Sequence, residues 1–217
     1  MTTGTARAGA DSAPDPDFAT TERTRLRRHA ERGSYDRALV HAILDEALVC
    51  HVGFVHEGEP LVIPTAFARV GEELYLHGAV ANRMLGALTR GRTCVTVTLL
   101  DGLVLARSFM HHSMNFRSVV VLGAAREVTD PDEKRRAFTA LIERVQSGRS
   151  ERSRPANDAE LRATRVLALP LLEVSAKVRT GPPLDDPEDH ALPHWAGVIP
   201  LALVAGEPIP DRVTSSG

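Results

Sequence analysis

The spacing of apolar residues indicates a helix followed by strands in the first half of the chain. Apolar side chains recur every four residues between 34 and 47, at Tyr35, Leu39, Ile43 and Ala47. This spacing predicts an amphipathic helix that begins at Ser34. The pattern then changes to short β-branched runs that are interrupted by Gly and Pro. These runs predict strands at 48–56, 60–70 and 73–79.

The second half of the chain adds two helices and further strands. A short helix is predicted from Asn82 to Gly91, and the longest helix begins at Asp130, a favoured cap that a proline follows. The side chains expected to face inward on the longest helix are Phe138, Leu141, Ile142 and Val145. Strands are predicted at 93–100, 116–128 and 164–180. The dipeptide Asp101-Gly102 predicts a hairpin turn after the first of these strands.

These elements predict an α+β protein that is mainly β. The strands follow one another through hairpin-length connections, without the regular strand–helix alternation of a parallel sheet. We therefore expect about six antiparallel strands, with inserted and flanking helices, in one domain over 34–205. The segment 1–33 has few residues to bury and is expected to be a disordered or weakly structured tail. A second tail is expected over 206–217.

Composition restricts the classes of function. Of the 217 residues 25% are charged, and the formal net charge of -2 lacks the basic excess of nucleic-acid-binding domains. No apolar run approaches the roughly 18 residues of a membrane helix. The cysteines Cys50 and Cys94 lie far apart, which argues against a disulfide framework. We therefore expect a cytoplasmic protein without nucleic-acid or membrane partners.

Common catalytic motifs are absent from the sequence, including the phosphate-binding glycine loop and the nucleophile elbow. The nine histidines invite a metal-site interpretation, but the neighbours His111 and His112 would point to opposite sides of an extended segment. His51 and His56 would also face opposite ways on one strand. No metal site is therefore expected.

Two short segments carry candidate ligand-binding groups. The first is the strand end and helix start His77-Gly78-Ala79-Val80-Ala81-Asn82-Arg83. Free N–H groups at a helix start, with a nearby guanidinium, form a phosphate site. A capped helix with a surface arginine explains the same residues. The second segment is Asn115-Phe116-Arg117-Ser118, which reads either as a ligand contact or as the solvated end of a hairpin.

Three stretches resemble one known family, in the family's order. They are 35–85, which ends in ELYLHGAVANRML, then MNFRSVVVLGAAREV at 114–128, and KVRTGPPLDDPEDHALPHWAGVIPL at 177–201. Together they resemble the flavin-nucleotide-binding branch of the pyridoxamine 5'-phosphate oxidase-like superfamily, the FMN-binding split barrels. This branch includes proteins linked to nitroimidazole resistance. The resemblance implies a split β-barrel whose homodimer holds FMN at the subunit interface.

The resemblance also implies which residues contact FMN. Those expected along the isoalloxazine and the ribityl chain are Pro64, Thr65, Ala66, His77, Gly78 and Ala79. Those expected at the phosphate are Asn82 and Arg83. Further cofactor contacts are expected from Arg117, Ser118, Lys177 and Trp195, with Trp195 packing on the flavin from across the interface. His77 is the candidate proton donor or substrate contact.

The leading hypothesis is an FMN-dependent oxidoreductase that acts on a small planar substrate, because hydride chemistry is supplied by the flavin itself. Pyridoxamine phosphate is not the expected substrate. The position four residues after Trp195 is Ile199 where such oxidases have arginine, and their Arg-x-His motif is absent. The alternatives are a flavin storage module without turnover, and the same barrel with deazaflavin F420 or haem. A haem would need one of the histidines as its ligand.

Overall fold

The computed structural model describes residues 17–211, so the outer parts of both expected tails, 1–16 and 212–217, lie outside the described residues. The helices are α1 Arg37–Glu46, α2 Arg83–Leu88, α3 Pro131–Val145 and α4 Asp158–Ala163. The strands are β1 Gly33–Ser34, β2 Val49–His56, β3 Glu59–Ala66, β4 Ala68–Val70, β5 Glu73–Ala79, β6 Arg92–Leu105, β7 Ser113–Ala124, β8 Arg126–Glu127, β9 Thr164–Pro170, β10 Glu173–Arg179 and β11 Gly197–Pro200. No helix in this part of the chain is long and apolar enough to cross a bilayer.

The strands form two sheets with antiparallel pairing. One sheet has the order β1-β10-β7-β6-β2-β3, with β11 paired to β6, and the other has the order β4-β5-β9-β8. The predicted class, α+β and mainly β, is confirmed. Residues 17–211 contain eleven strands instead of about six, because three predicted runs are divided and because β1 and β11 were not predicted. The run 60–70 breaks at the buried Phe67, and the run 164–180 breaks at the buried Leu171.

The chain forms two compact units. Unit 1 comprises the described parts of Met1–Thr98 and Ser118–Lys177, and unit 2 comprises Leu99–Arg117 with the described part of Val178–Gly217. The domain expected over 34–205 contributes residues to both units. Unit 2 joins segments far apart in sequence because β11 pairs with β6, placing Gly197 opposite Leu105. A pairing of this kind leaves no signal in local residue patterns.

The core of unit 1 is centred on β5 and β9. Their register places Leu74 opposite Leu169 and Leu76 opposite Leu167. All four side chains are buried, and each buried leucine contributes roughly 1.5–3 kcal/mol to folding. This pairing fixes the position of the last residues of β5, which belong to the candidate site.

The cap of helix α1 lies two residues later than predicted, and the helix turns a different face to the core. Asp36 caps it, because its side chain accepts a hydrogen bond of 2.6 Å from the backbone N–H of Leu39. The cap excludes the predicted start at Ser34. The buried residues of the helix are Val40, Ile43 and Leu44.

The helix α3 begins as predicted, after the cap Asp130, but its buried face is narrower than expected. Ala137 and Leu141 are buried, whereas Ile142 and Val145 are exposed. The prediction selected the largest apolar side chains at helical spacing. The cluster beneath α3 instead accommodates the small Ala137, and its other buried members are Tyr75, Val128, Val166 and Ala168.

The predicted hairpin turn at Asp101-Gly102 is wrong. Strand β6 runs without a break from Arg92 to Leu105. Gly102 is buried opposite Pro200 in β11, where a Cβ atom would lie 3.0 Å from the Val198 side chain. Glycine at this position therefore permits close strand packing, and no turn is needed.

Residues 17–33 are packed, in contrast to the weakly structured tail that we expected over 1–33. Phe18 is 4% exposed and lies against His41, with the guanidinium of Arg37 4.0 Å from the centre of its ring. The backbone N–H of Phe18 donates to the carbonyl oxygen of Tyr35. Phe18 and hydrogen bonds such as those from Tyr35 to Thr24 and from Lys177 to Arg28 hold this segment, and its polar composition gives no sign of them.

Candidate functional site

Two of the predicted segments, 64–66 and 77–79, lie where strands β3 and β5 of unit 1 separate into different sheets. Ala68 in β4 lies opposite Tyr75 in β5. Before Ala68 the chain belongs to β3 in the other sheet, while β5 continues against β9 with His77 opposite Val166. The two sheets thus diverge between Pro64–Ala66 of β3 and His77–Ala79 of β5.

The β3 side of this divergence is an open sheet edge. Strand β3 pairs with β2 on one side, with Thr65 opposite Cys50, and ends the strand order of its sheet on the other. Pro64 and Ala66 are exposed. Backbone groups on the outer side of β3 can therefore bind the polar edge of a planar ligand, as the resemblance implied.

Gly78 brings β5 close to the start of α2. A Cβ atom at this position would lie 3.1 Å from Cδ1 of Leu85 and 3.2 Å from Nδ2 of Asn82. A side chain here would force these groups apart, so the glycine allows close approach of the backbone. Asn82 and β5 are tied together further, because the N–H of Asn82 donates to the carbonyl oxygen of Ala79 at 2.9 Å.

The start of α2 presents the two predicted phosphate ligands. The side chain of Asn82 caps the helix and accepts a hydrogen bond of 3.2 Å from the N–H of Leu85. Arg83 is exposed, and its guanidinium has no hydrogen-bond or ion-pair partner within residues 17–211. A cation without a protein partner, beside a helix start, is suited to an anionic group.

His77 lies on the other face of β5. Its ring contacts Phe138 of α3 edge-on, with the ring centres 5.9 Å apart, whereas the missing side chain of Gly78 would point toward α2. Burial lowers the pKa of His77, so the ring is neutral at neutral pH, and its buried Nδ1 has no hydrogen-bond partner within 17–211. The imidazole is therefore poorly placed to donate a proton beside α2.

Ser118 and Lys177 are close together in unit 1 but are engaged with backbone groups. The hydroxyl of Ser118 donates to the carbonyl oxygen of Lys177 at 3.3 Å. The ammonium group of Lys177 donates to the carbonyl oxygen of Arg28 at 3.1 Å. An ammonium group has three N–H donors, so the contact of Lys177 with the cofactor stays a prediction.

Arg117 and Trp195 belong to unit 2. Asp101 binds the guanidinium of Arg117 through both carboxylate oxygens, at 3.0 Å and 2.7 Å. Trp195 is 65% exposed, and its ring lies over Gly197, where a Cβ atom would approach Cζ2 to 2.8 Å. Arg117 is thus held by a structural ion pair, while the indole ring keeps a free face for another molecule.

Unit 2 also contains a feature that the sequence analysis did not select. Phe109 and Met110, in a 3₁₀ turn, are 97% and 87% exposed. His111 and His112 follow directly, and their rings have different environments. The signal available in the sequence was an aromatic residue and a methionine directly before two histidines in a connection between strands.

Comparisons with known proteins agree on one family. The family model for pyridoxamine 5'-phosphate oxidase matches residues 36–178. The flavocytochrome Anf3 from Azotobacter vinelandii is 44% identical, with a TM-score of 0.84 over 88% of this chain and 90% of that protein. A FAD and haem binding protein from Mycobacterium smegmatis is 36% identical, with a TM-score of 0.81 over 86% of this chain and 92% of that protein.

A more distant structure, a candidate 5-nitroimidazole antibiotic resistance protein from Bacteroides thetaiotaomicron, is 26% identical. Its TM-score is 0.57 over 67% of this chain and 86% of that protein. No curated protein matches the chain. The family match covers well over half of the sequence, and two relatives exceed 30% identity over most of it. The chain therefore belongs to the pyridoxamine 5'-phosphate oxidase-like family of flavin-binding split barrels.

Proposed function

We propose that unit 1 binds a flavin nucleotide where its two sheets diverge. In this proposal, the outer edge of β3 contacts the isoalloxazine through backbone groups of 64–66, and β5 approaches it at Gly78 and Ala79. Asn82 and Arg83 then hold the phosphate. The observation that carries the proposal is Arg83, an exposed cation without a protein partner in 17–211, beside the close approach of β5 to α2.

We propose FAD and haem as the cofactors, in place of FMN alone. The support is the relative from Mycobacterium smegmatis, which is described as binding FAD and haem, and the flavocytochrome from Azotobacter vinelandii. Flavin exchanges one or two electrons and haem exchanges one, so a protein with both cofactors can couple a two-electron donor to a one-electron acceptor. A flavin-dependent oxidoreductase is thus retained as the function, with electron transfer as its chemistry.

The chain's own residues would bind and orient the flavin in this proposal. The ring of His77 faces Phe138, so we do not assign it the role of an acid beside α2. Arg117 forms an ion pair with Asp101, and Lys177 donates a hydrogen bond to the carbonyl oxygen of Arg28. We therefore assign positioning to the backbone of β3 and β5, and charge neutralisation to Arg83.

The first test is the absorption spectrum of the purified chain, followed by identification of the released flavin by chromatography. Oxidised-flavin bands, a Soret band and released FAD are the expected result. If FMN is the released flavin, FMN replaces FAD as the proposed flavin cofactor. A colourless protein that binds neither added flavin would contradict it. Bleaching by NADH, NADPH or dithionite, with reoxidation by an added acceptor, separates turnover from storage.

Arg83→Ala tests the phosphate assignment. Loss of one charge-assisted contact is expected to weaken flavin binding by about 1.5–3 kcal/mol, roughly ten- to a hundredfold. Arg90→Ala is the matched control, because Arg90 is also exposed, follows α2, and makes no side-chain hydrogen bond or ion pair within 17–211. Equal flavin affinity in both variants, measured by fluorescence titration, would exclude Arg83 as the phosphate ligand.

We also propose that the chain acts as a homodimer, and the cytoplasmic location expected from its composition stays a prediction. The support is the open edge of β3, where Leu61, Val62 and Ile63 are 41%, 67% and 40% exposed. A patch of this kind marks an interaction surface. Sedimentation equilibrium of the loaded protein is expected to give twice the mass of 23.5 kDa, and a monomer at micromolar concentration would contradict it.

A further inference from the structure

The segment around Phe109–His111 in unit 2 exposes large apolar side chains beside two histidines. Phe109, Met110 and Met114 are 97%, 87% and 50% exposed. Side chains of this size are costly to leave in water, and a cluster of them marks a surface that receives another molecule. Their occupant must be apolar over much of its surface.

The ring of His112 is held in one orientation by a backbone group. Its Nδ1 lies 2.8 Å from the carbonyl oxygen of Ser108. A carbonyl oxygen can only accept, so Nδ1 carries the hydrogen, and in the neutral ring of the exposed His112 Nε2 carries the lone pair. Metal-binding histidines are oriented in this way, since a hydrogen bond from one ring nitrogen fixes the tautomer and the direction of the other.

The ring of the adjacent residue, His111, has side-chain partners near both of its nitrogen atoms. Its Nδ1 lies 3.0 Å from the hydroxyl of Ser108, and its Nε2 lies 3.9 Å from a carboxylate oxygen of Asp186. Asp189 belongs to the same group of possible ligand atoms. Both ring nitrogens of His111 therefore face polar partners of unit 2, and this ring offers no free lone pair to an apolar ligand.

The other histidines lack the arrangement of His112, and all nine lie within residues 17–211. Those that face carboxylates are His29, His41 and His56. His77 lies against Phe138. Those that are exposed without a ring hydrogen bond in 17–211 are His51, His190 and His194. Among the described residues, only His112 combines a backbone-oriented ring with a free Nε2 and exposed apolar neighbours.

We propose that Nε2 of His112 is an axial ligand of haem, with Phe109, Met110 and Met114 covering part of the porphyrin. The inference rests on the haem in the proposed function. Imidazole is a common axial ligand of haem iron, and apolar side chains suit the faces of the macrocycle. Nε2 of His112 would hold the haem iron through its lone pair. No proton is released, because the hydrogen stays on Nδ1.

The test compares haem binding by three forms of the full chain: wild type, His112→Ala and His111→Ala. Each is titrated with hemin and followed by the Soret band and electron paramagnetic resonance. For His112→Ala we expect the affinity to fall by at least about a hundredfold, the upper end of the loss seen when an outer-shell partner is removed. Imidazole added to the buffer is expected to restore the spectrum. His111→Ala is expected to retain wild-type binding.

A second variant guards against a general loss of structure. His112→Met keeps an axial ligand and is expected to retain haem with a shifted Soret band and a raised reduction potential. If wild type binds haem and His112→Ala binds it with the same affinity and spectrum, this inference is overturned while the proposed function stands. A wild-type chain that binds flavin but no haem would overturn both the inference and the haem part of the proposed function.

Discussion

Units 1 and 2 bury different kinds of groups. The interior of unit 1 is a continuous set of aliphatic side chains, such as Ile43, Leu76 and Leu167. Among the described residues of unit 2, the buried apolar side chains are Val104 and Ala106. The large exposed apolar side chains of unit 2 are Leu100, Leu103, Phe109, Met110, Met114, Leu184, Leu192, Trp195, Ile199, Leu201, Leu203, Val204 and Ile209.

Polar pairs take the place of an apolar core in unit 2. The buried Arg179 donates to the side-chain oxygen of the buried Asn115. Asn115 in turn donates to the carbonyl oxygen of Gly181 at 3.1 Å. Such pairs specify a conformation but contribute little net free energy of folding, because their desolvation offsets their attraction. The comparison indicates that unit 1 is stabilised from within, whereas the apolar groups of unit 2 are available to ligands and partners.

The largest expected effect contrasts one leucine from each unit. Leu167→Ala removes a fully buried side chain from unit 1 and is expected to lower the free energy of unfolding by about 2–5 kcal/mol. Leu203→Ala alters a side chain that is 90% exposed, with an expected change within about 0.5 kcal/mol. Urea denaturation of both variants measures the contrast. A large loss in Leu203→Ala would mean that this side chain is covered in solution.

Asp185→Asn tests the polar interior of unit 2, with a smaller expected effect. Burial alone would raise the pKa of Asp185, but hydrogen bonds from the backbone N–H and the guanidinium of Arg107, at 2.8 and 2.9 Å, hold it below its ordinary value of 3.8. The stabilisation from this carboxylate is therefore present above pH 3.8 and is lost as the pH falls below it.

We expect wild-type amide exchange at Arg107 and Ser108 to accelerate below pH 3.8, after correction for the intrinsic rate. Asp185→Asn should already exchange faster at neutral pH and lose the acid-dependent step. Asp186→Asn is the control, because Asp186 is the neighbouring carboxylate and is exposed. Equal exchange in wild type and Asp185→Asn would show that the pair with Arg107 does not hold unit 2.

The smallest expected effect concerns His77 in unit 1. Burial lowers the pKa of this ring from 6.5, so the folded state favours its neutral form. The contribution of the neutral ring to the free energy of unfolding is complete above pH 6.5. It is lost as the pH falls through 6.5 toward the lower pKa that His77 has in the folded protein. His77→Leu should weaken the decrease in unfolding free energy between pH 8 and 5.5. His190→Leu, which alters an exposed histidine, should keep it, and equal slopes in all three proteins would contradict a buried neutral His77.

The sequence was sufficient for the fold class and for the parts of the site that depend on local rules. Caps such as Asn82 and Asp130 lie where predicted, because a side chain that accepts from its own helix start is a local property. Strand alternation gave the existence of β2, β3 and β5. The division of the run 60–70 at Phe67 was missed, since the separation of two sheets is set by distant packing.

The sequence could not show which side chains are already bound by other groups of the protein. Arg117 and Arg83 were both expected as cofactor ligands, yet Arg117 is bound by Asp101, whereas Arg83 has no partner within 17–211. Sixteen residues separate Arg117 from Asp101, and only the pairing of strands brings the two together. His112 was set aside with His111 for a sound reason, since adjacent rings rarely share an ion. The oriented tautomer of His112 is visible only with the carbonyl of Ser108 in place.

The prolines of β3 bear on how the chain avoids self-assembly into fibrils. Pro60 and Pro64 lie opposite Val55 and His51 in the pairing with β2. A proline tolerates such pairing only where its nitrogen faces away from the neighbouring strand, so the outer edge lacks amide hydrogens at both positions. An incoming strand would meet an interrupted row of donors, which discourages the edge-to-edge addition that starts amyloid growth. We therefore expect the exposed edge of β3 to resist aggregation in the newly made chain until a partner covers it.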